Sequence, residues 1–350
     1  ARMAPFGGFE MPISYEGIIA EHTSTRTATT VFDTCHMGEF RISGDQAVND
    51  LEKLLSSRIA TMEVGQCRYG LLCNPEGGVI DDEITYRMGE QEFFMVVNAG
   101  TQDTDFNWIR EHLSPQTAIE NLSAETAKLD IQGPQSAKIM QGLLDQTLEG
   151  MRFYRFRHNS YRGEQVLISR TGYTGEIGFE VYCSPALALS LWDDLLARDV
   201  KPAGLGARDT LRLEMGLPLY GHELTATRNA AECGFMRSIA DDKEFIGSGV
   251  ILDPSRRTQR LVGMELEGRR AAREGDVVCD DSGTEVGTIT SGSYGPSVGR
   301  SIALGYVGSA FAQPATRLQV RSARATLTAT VVETPFYREA TGRRPLKEFL

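Results

Sequence analysis

Arg41-Ile42-Ser43-Gly44-Asp45-Gln46-Ala47 and Asp130-Ile131-Gln132-Gly133-Pro134-Gln135-Ser136 are the two stretches on which the reading of the fold turns. In each, an alternating strand stops at a glycine, and a short polar segment then opens an amphipathic helix. Leu51, Leu54 and Leu55 share one face of the first helix, and Ile139, Met140, Leu143 and Leu144 share one face of the second. Each copy continues into a glycine-punctuated strand pair and a second helix, over residues 105–112 and 186–197 respectively. Self-similarity on this scale reads as an internal duplication.

The order within each copy, β-α-β-β-α with a further strand, is the ferredoxin-like pattern, so the fold class is α+β with two related halves. Beyond residue 259 the texture changes. Short alternating runs at 261–266, 285–289, 302–307, 318–320 and 326–332 are separated by Gly, Asp and Ser, which predicts a small C-terminal β-barrel. Residues 223–254 read as a linker with one short helix.

The hairpins of the two copies also match. Gly77-Gly78-Val79-Ile80-Asp81-Asp82 parallels Gly175-Glu176-Ile177-Gly178-Phe179-Glu180, so that Asp82 falls on Glu180. Both acids share the strand parity of an apolar neighbour, Ile80 or Ile84 in one copy and Tyr182 in the other. If that parity faces the core, each half points one carboxylate inward, which is costly unless the group is paired or used. The alternative is that Asp81 and Asp82 straddle a strand end in water.

Composition narrows the function. The 350 residues are 41% hydrophobic and 24% charged, the balance of an ordinary globular chain. No apolar run approaches the ~18 residues of a membrane span, and Ala1-Arg2-Met3-Ala4-Pro5 lacks a secretory core. A net charge of −11 argues against a nucleic acid as main partner. The six cysteines are scattered without a C-x-x-C pair, so neither a metal site nor a disulfide framework is expected, and the cytosol or an organelle matrix is the default. Cys35-His36 are neighbours that a strand would point to opposite faces, which disfavours a catalytic dyad. No G-x-G-x-x-G calls for a nicotinamide. Arg152, Arg155, Arg157 and Arg162 read as a solvated strand edge, or as a basic patch for an acidic carrier.

Gly204-Leu205-Gly206-Ala207-Arg208-Asp209-Thr210-Leu211-Arg212-Leu213-Glu214-Met215-Gly216 and Leu219-Tyr220-Gly221-His222-Glu223-Leu224 resemble the glycine cleavage T-protein family of folate-dependent aminomethyltransferases. So do Phe9-Glu10-Met11-Pro12, Phe32-Asp33, His36-Met37-Gly38-Glu39, Gly77 to Asp82, and Ser169-Arg170-Thr171-Gly172-Tyr173-Thr174-Gly175-Glu176. Gly178-Phe179-Glu180, Ile289-Thr290-Ser291-Gly292 and Pro335-Phe336-Tyr337-Arg338 complete a series that runs in order along nearly the whole chain. The resemblance also implies further residues before Ala1, so that the N-terminus is expected to be cut or processed.

The resemblance implies a three-domain cloverleaf, with residues 1–40 and 123–228 in one α+β domain, 41–122 and 229–258 in the second, and 259–350 in the barrel. It implies tetrahydrofolate as cosubstrate, without a metal, and a lipoylated H-protein as carrier of the aminomethyl group. The chain would act as a monomer in the cytoplasm or, in a eukaryote, in the mitochondrial matrix. Residue by residue, Asp82 matches the acid beside the pterin nitrogens, and Glu180 the acid that grips the pterin's amino-pyrimidine edge. Arg208, Tyr86, Asn98 and Tyr173 match positions lining the pocket, and Arg338 lies in the tail that approaches the folate glutamate. The chemistry suits such acids. Loss of the thiolate from S–CH2–NH2 leaves an iminium cation, and a carboxylate ~4 Å away at an effective dielectric of ~20 offsets about 4 kcal/mol. The same carboxylate can take the proton shed as the folate nitrogen attacks, typically worth ~10²–10⁴-fold.

The chain departs from the family at Arg228-Asn229-Ala230-Ala231-Glu232-Cys233-Gly234-Phe235-Met236-Arg237, where a proline is missing and Arg237 replaces an aromatic. A second reading is therefore a demethylase paralogue that moves a methyl group from a sulfonium, amine or methoxy donor to tetrahydrofolate. A third, a non-catalytic folate-binding protein of the iron–sulfur maintenance type, would need a Lys-Gly-Cys-centred signature that the chain lacks.

Overall fold

The computed structural model describes residues 1–323 and 325–350. The chain opens with a hairpin, β1 (Arg2–Phe6) and β2 (Phe9–Ser14), then α1 (Ile18–Thr27) and β3 (Thr30–Asp33). The first copy of the repeat is β4 (Gly38–Ser43), α2 (Ala47–Leu54), β5 (Cys67–Cys73), β6 (Val79–Arg87), β7 (Glu92–Val97), α3 (Gln102–His112) and β8 (Ala118–Asn121). The second is β9 (Ala127–Gln132), α4 (Ser136–Gln141), β10 (Phe156–Tyr161), β11 (Glu164–Ser169), β12 (Gly178–Cys183), α5 (Pro185–Leu196) and β13 (Lys201–Pro202), followed by α6 (Leu205–Glu214) and a short α7 (Ser248–Ile251).

Strand order is β5-β6-β7-β4-β8 in one sheet and β10-β11-β12-β9-β3-β13 in the other, the same wiring with β3 inserted. The duplication and the α+β class stand, with one strand more between the helices of each copy than the ferredoxin-like pattern holds. That extra strand corrects the match of the two acids. β6 corresponds to β11 and β7 to β12, so Asp82 and Glu180 lie on non-equivalent strands. The sequences align there because both strands follow a left-handed glycine turn, with φ of 82° at Gly77 and 83° at Gly175.

The final six strands, β14 (Gln259–Leu266), β15 (Val277–Cys279), β16 (Glu285–Gly295), β17 (Arg300–Gly308), β18 (Arg317–Arg321) and β19 (Thr326–Val332), close into a barrel when β19 pairs back onto β14. Its interior is an apolar cluster that includes Met264, Val278, Ala303, Leu318, Val320 and Ala329. β15 escaped the pattern because three residues are too few to alternate visibly. The region expected to be a linker with one helix instead makes several single turns, at Ala230–Cys233, Met236–Ser238, Ser248–Ile251 and Pro254–Arg256.

The chain divides into two compact units, one of Ala1–Gly70, Glu83–Arg208 and Ala340–Leu350, the other of Leu71–Asp82 and Asp209–Glu339. The last residues therefore group with the first unit and not with the barrel, because Leu346 is buried in its core with Leu129, Phe179 and Leu191. Buried Arg170 also donates to the carbonyls of Gly342 (3.1 Å) and Arg344.

Candidate functional site

In the first unit, β9 and β12 are buried on both sides, and their two faces differ in kind. Ala127, Leu129 and Ile131 of β9, with Phe179 and Val181 of β12, join the main apolar core under α4 and α5. The opposite parity carries Lys128, Asp130 and Gln132 on β9, and Glu180 and Tyr182 on β12. These side chains meet an aromatic layer that includes Tyr86, Phe94 and Phe156.

Charges in such a place must be paired. Lys128 Nζ lies 2.6 Å from Glu180 Oε1, with the two side chains 3% and 4% exposed, and 3.4 Å from Met37 Sδ. Glu180 Oε2 accepts from Thr171 Oγ1 and, at longer range, from the Tyr86 hydroxyl (3.3 Å) and the Tyr182 hydroxyl (3.5 Å). The Tyr86 and Tyr182 hydroxyls are 2.8 Å apart. Burial by itself pushes the Glu180 carboxyl up, but Lys128 and the Thr171 hydrogen bond, with help from Arg208, outweigh it and hold the group below its usual range. The same burial, and then the Glu180 charge, push the Tyr86 and Tyr182 phenols well above theirs.

Asp130 stands directly across from Glu180 in the ladder. It pairs with Arg208 at 2.8 Å, and the Arg208 guanidinium lies over the Tyr173 ring, 4.9 Å from its centroid. Gln132 Nε2 donates to Asp130 Oδ1 and to the Thr171 carbonyl (3.1 Å), while Gln132 Oε1 accepts from Thr174 Oγ1 (2.8 Å). The glycines beside it are required here: a Cβ on Gly172 or Gly178 would come within 2.3 or 2.4 Å of the Gln132 side chain. Desolvation, and secondarily Glu180, push the Asp130 carboxyl up to about 6 against the pull of Arg208.

Two further polar side chains border this array. Glu39 on β4 is fully buried, and neither of its carboxyl oxygens has a hydrogen-bond partner among the described residues. Burial pushes it up to about 8, with Lys128 opposing and Glu180 reinforcing. His36 is likewise buried with Nδ1 unpartnered, and burial, then Arg208 and Lys128, lower it to about 4.

The structure thus brings together Glu180 with Tyr86, and Arg208 with Tyr173, and links the pairs through Asp130. Asn98 is half-buried just past the end of β7, where its carbonyl accepts from Thr101 Oγ1 (3.1 Å) ahead of α3. Asp82 belongs to the second unit. The fully buried face of β6 is Val79, Asp81, Glu83 and Thr85, of which Glu83 and Thr85 belong to the first unit, whereas Asp82 is only half-buried. That overturns the picture of Asp81 and Asp82 straddling a strand end in water. Gly78, ahead of Asp82, bridges to Asn229, and a Cβ on it would lie 1.8 Å from the Ala226 carbonyl oxygen. The Cys233 thiol, pushed up to about 11 chiefly by burial, also feels the Asp82 charge. Arg338 is exposed, 3.8 Å from Glu333, and Arg237 is exposed on a single turn. β10, which carries Arg157, is a sheet edge, as expected for a solvated arginine run, and Arg162 pairs with Asp194 at 2.9 Å. A cavity of about 890 Å³ opens on the other face of β9, against Leu129, Trp192 and Leu189, and none of the expected site residues lines it.

The comparisons with known proteins decide the family. The model of the GCVT N-terminal domain matches residues 1–243, and that of the glycine cleavage T-protein C-terminal barrel domain matches residues 259–338. The chain belongs to the glycine cleavage T-protein family. It is 40% identical over 345 residues to an aminomethyltransferase of Desulforamulus reducens, covering 97% of this chain and 94% of that one. A relative from Exiguobacterium sibiricum, also an aminomethyltransferase, matches to the same extent. The crystal structure of the glycine cleavage system aminomethyltransferase T from Bartonella henselae superposes with a TM-score of 0.92 at 30% identity, over 97% of this chain and 95% of that one. The aminomethyltransferase reading of an enzyme is therefore the supported one, and the demethylase alternative is not favoured.

Lys128, Asp130 and Gln132 were missed as site residues. Three polar side chains that alternate with Ala127, Leu129 and Ile131 read in sequence as the solvent face of a strand, so no local signal marked them as buried. Glu39 and His36 were visible only as part of a motif, with no role attached.

Proposed function

We propose that the chain transfers a one-carbon unit from an aminomethyl group, carried on the lipoyl arm of an H-protein, to tetrahydrofolate with release of ammonia. The observation that supports this most directly is the buried Glu180 carboxylate, kept as an acceptor by Lys128. A pterin's amino-pyrimidine edge presents two N–H donors, and a carboxylate has about four acceptor positions. Those taken by the Tyr86 and Tyr182 hydroxyls, at 3.3 and 3.5 Å, are the long ones that such an edge can displace. Arg208 stacked on Tyr173 offers a flat cationic wall for a pterin ring. Tyr86 is fully buried; it occupies the Glu180 acceptor position that the pterin edge takes over, and its hydroxyl keeps Tyr182 as partner at 2.8 Å. Asn98 contributes an amide at the rim, and Arg338 an exposed cation for the folate glutamate. Asp82 stabilises the developing iminium and accepts the proton lost from the attacking nitrogen.

On this reading no metal is needed, and the partners are folate and the acidic carrier, with neither nucleic acid nor membrane. No helix among the described residues is long and apolar enough to cross a membrane, and we place the enzyme in the cytoplasm as a monomer. The three-part division expected from the family is kept as part of the proposal, except that residues 340–350 group with the first unit and not with the barrel. The test is a titration of tetrahydrofolate into the protein and into Glu180→Gln. Loss of one charged hydrogen-bonding partner should weaken binding roughly ten- to a hundredfold. A wild-type protein that binds no tetrahydrofolate would overturn the reading.

A further inference from the structure

We infer that Lys128 is a positioning residue for the ligand-gripping carboxylate: its ammonium, lodged between Glu180 Oε1 and Met37 Sδ, keeps Glu180 an acceptor inside a layer that would otherwise neutralise it. This rests on the proposed folate-binding role of Glu180 and adds to it the group that makes the role possible.

Three observations carry the inference. The first is burial: Glu180 is 3% exposed, with the Tyr86 and Tyr182 hydroxyls of the aromatic layer against it, a place where an isolated carboxylate keeps its proton. The second is geometry. Asp130 and Arg208 already satisfy one another at 2.8 Å, so the cation in direct contact with Glu180 is Lys128. The third is the choice of residue. The chain has 36 basic residues of which six are lysine, and one of those six is spent here, 2% exposed. A compact ammonium fits a narrow space between a carboxylate oxygen and a thioether, whereas a planar guanidinium spreads over a wider fork.

The groups that face Glu180 fix the expected pH behaviour. Lys128 and Asp130 reach it from β9, Arg208 from α6 and Glu39 from β4. The remaining titratable neighbours, Tyr86, Tyr154, Tyr182 and Cys67, are all pushed upward and stay neutral near pH 7. Without Lys128, the nearby carboxyls and the apolar layer act together to protonate Glu180. A protonated carboxyl loses one acceptor oxygen and cannot receive both N–H groups of a pterin edge.

The experiment measures tetrahydrofolate affinity from pH 6 to 9 for wild type, Lys128→Met, and the double variant Lys128→Met/Glu180→Gln. Without its counter-ion, burial pushes the Glu180 carboxyl up, so that the protonated form dominates at pH 7 and the ionised form returns as pH rises. In Lys128→Met, affinity should then fall about tenfold at pH 7 and recover toward the wild-type value at pH 9. Wild type should vary little over that range through this group. The double variant should bind weakly with no such recovery, and with both charges gone it folds without a buried unpaired ion.

A carbon-13 titration of the Glu180 carboxyl in wild type, assigned by its absence in Glu180→Gln, tests the same point without Lys128→Met. The signal should stay that of a carboxylate throughout pH 6 to 9. Lys128→Met that binds as tightly as wild type at every pH, or a Glu180 signal that titrates in wild type, would overturn the inference. If wild type itself binds no tetrahydrofolate while its Glu180 signal remains that of a carboxylate, the ligand assignment fails and the Lys128–Glu180 relation stands.

Discussion

Replacing Glu39 with glutamine should stabilise the protein by an amount that grows with pH. The Glu39 carboxyl is fully buried, its oxygens have no hydrogen-bond partner among the described residues, and it is pushed from an ordinary 4.5 up to about 8, mainly by burial. At pH values below 4.5 the folded and unfolded chains both hold the proton, and the group contributes nothing. Between 4.5 and about 8 the unfolded chain releases a proton that the folded chain retains, so stability falls as pH rises. At ~1.36 kcal/mol per pH unit the loss is roughly 3 kcal/mol at pH 7 and roughly 5 kcal/mol above pH 8. Glutamine keeps the shape without the titration. Its unpartnered amide costs about 1–3 kcal/mol, but equally at every pH. Urea unfolding of both proteins, followed by tryptophan fluorescence from pH 4 to 9, measures the difference. The variant's advantage should widen steadily up to about pH 8 and then level off. Parallel curves for the two proteins would refute the reasoning.

Arg208→Ala leaves Asp130 buried without its partner and should cost about 3–5 kcal/mol, most of it recovered in Arg208→Ala/Asp130→Ala. Thermal unfolding of the singles and the double checks this. Leu346→Ala should loosen the C-terminal segment from the first unit at a cost of about 2–5 kcal/mol, seen as faster proteolysis after residue 339. Arg237→Phe, at an exposed position, should change stability by less than ~0.5 kcal/mol in the same unfolding experiment.

The parts of the fold that could be read from sequence were those with a strong period. The helix ending at His112 and the barrel strand over residues 326–332 emerged with their observed ends or close to them. The third strand of each hairpin system did not. β10 and β11 run together through Arg157, Tyr161 and Arg162, where polar residues fall on both parities and blur the alternation. That omission is what misaligned Asp82 with Glu180. At the candidate site, the residues carried by a motif could be named from sequence, and those that contact them could not. Lys128 and Asp130 make sense only once β9 is seen to lie against β12, a pairing between residues about fifty apart in the chain that no local pattern encodes. On β6 both parities are largely covered, and the more fully buried face is the one carrying Asp81, Glu83 and Thr85, which the apolar parity of Ile80 and Ile84 does not reveal.

An exchange assay reads the proposed aminomethyl chemistry, and the role of Asp82 as its acid, in one experiment. The protein is mixed with methylene-tetrahydrofolate, ammonia and reduced lipoylated H-protein, beside Asp82→Ala and Asp82→Asn. Consumption of methylene-tetrahydrofolate should require H-protein and drop ~10²–10⁴-fold in both variants, with tetrahydrofolate binding retained. Turnover that ignores H-protein, or that survives in Asp82→Ala, would contradict the proposal.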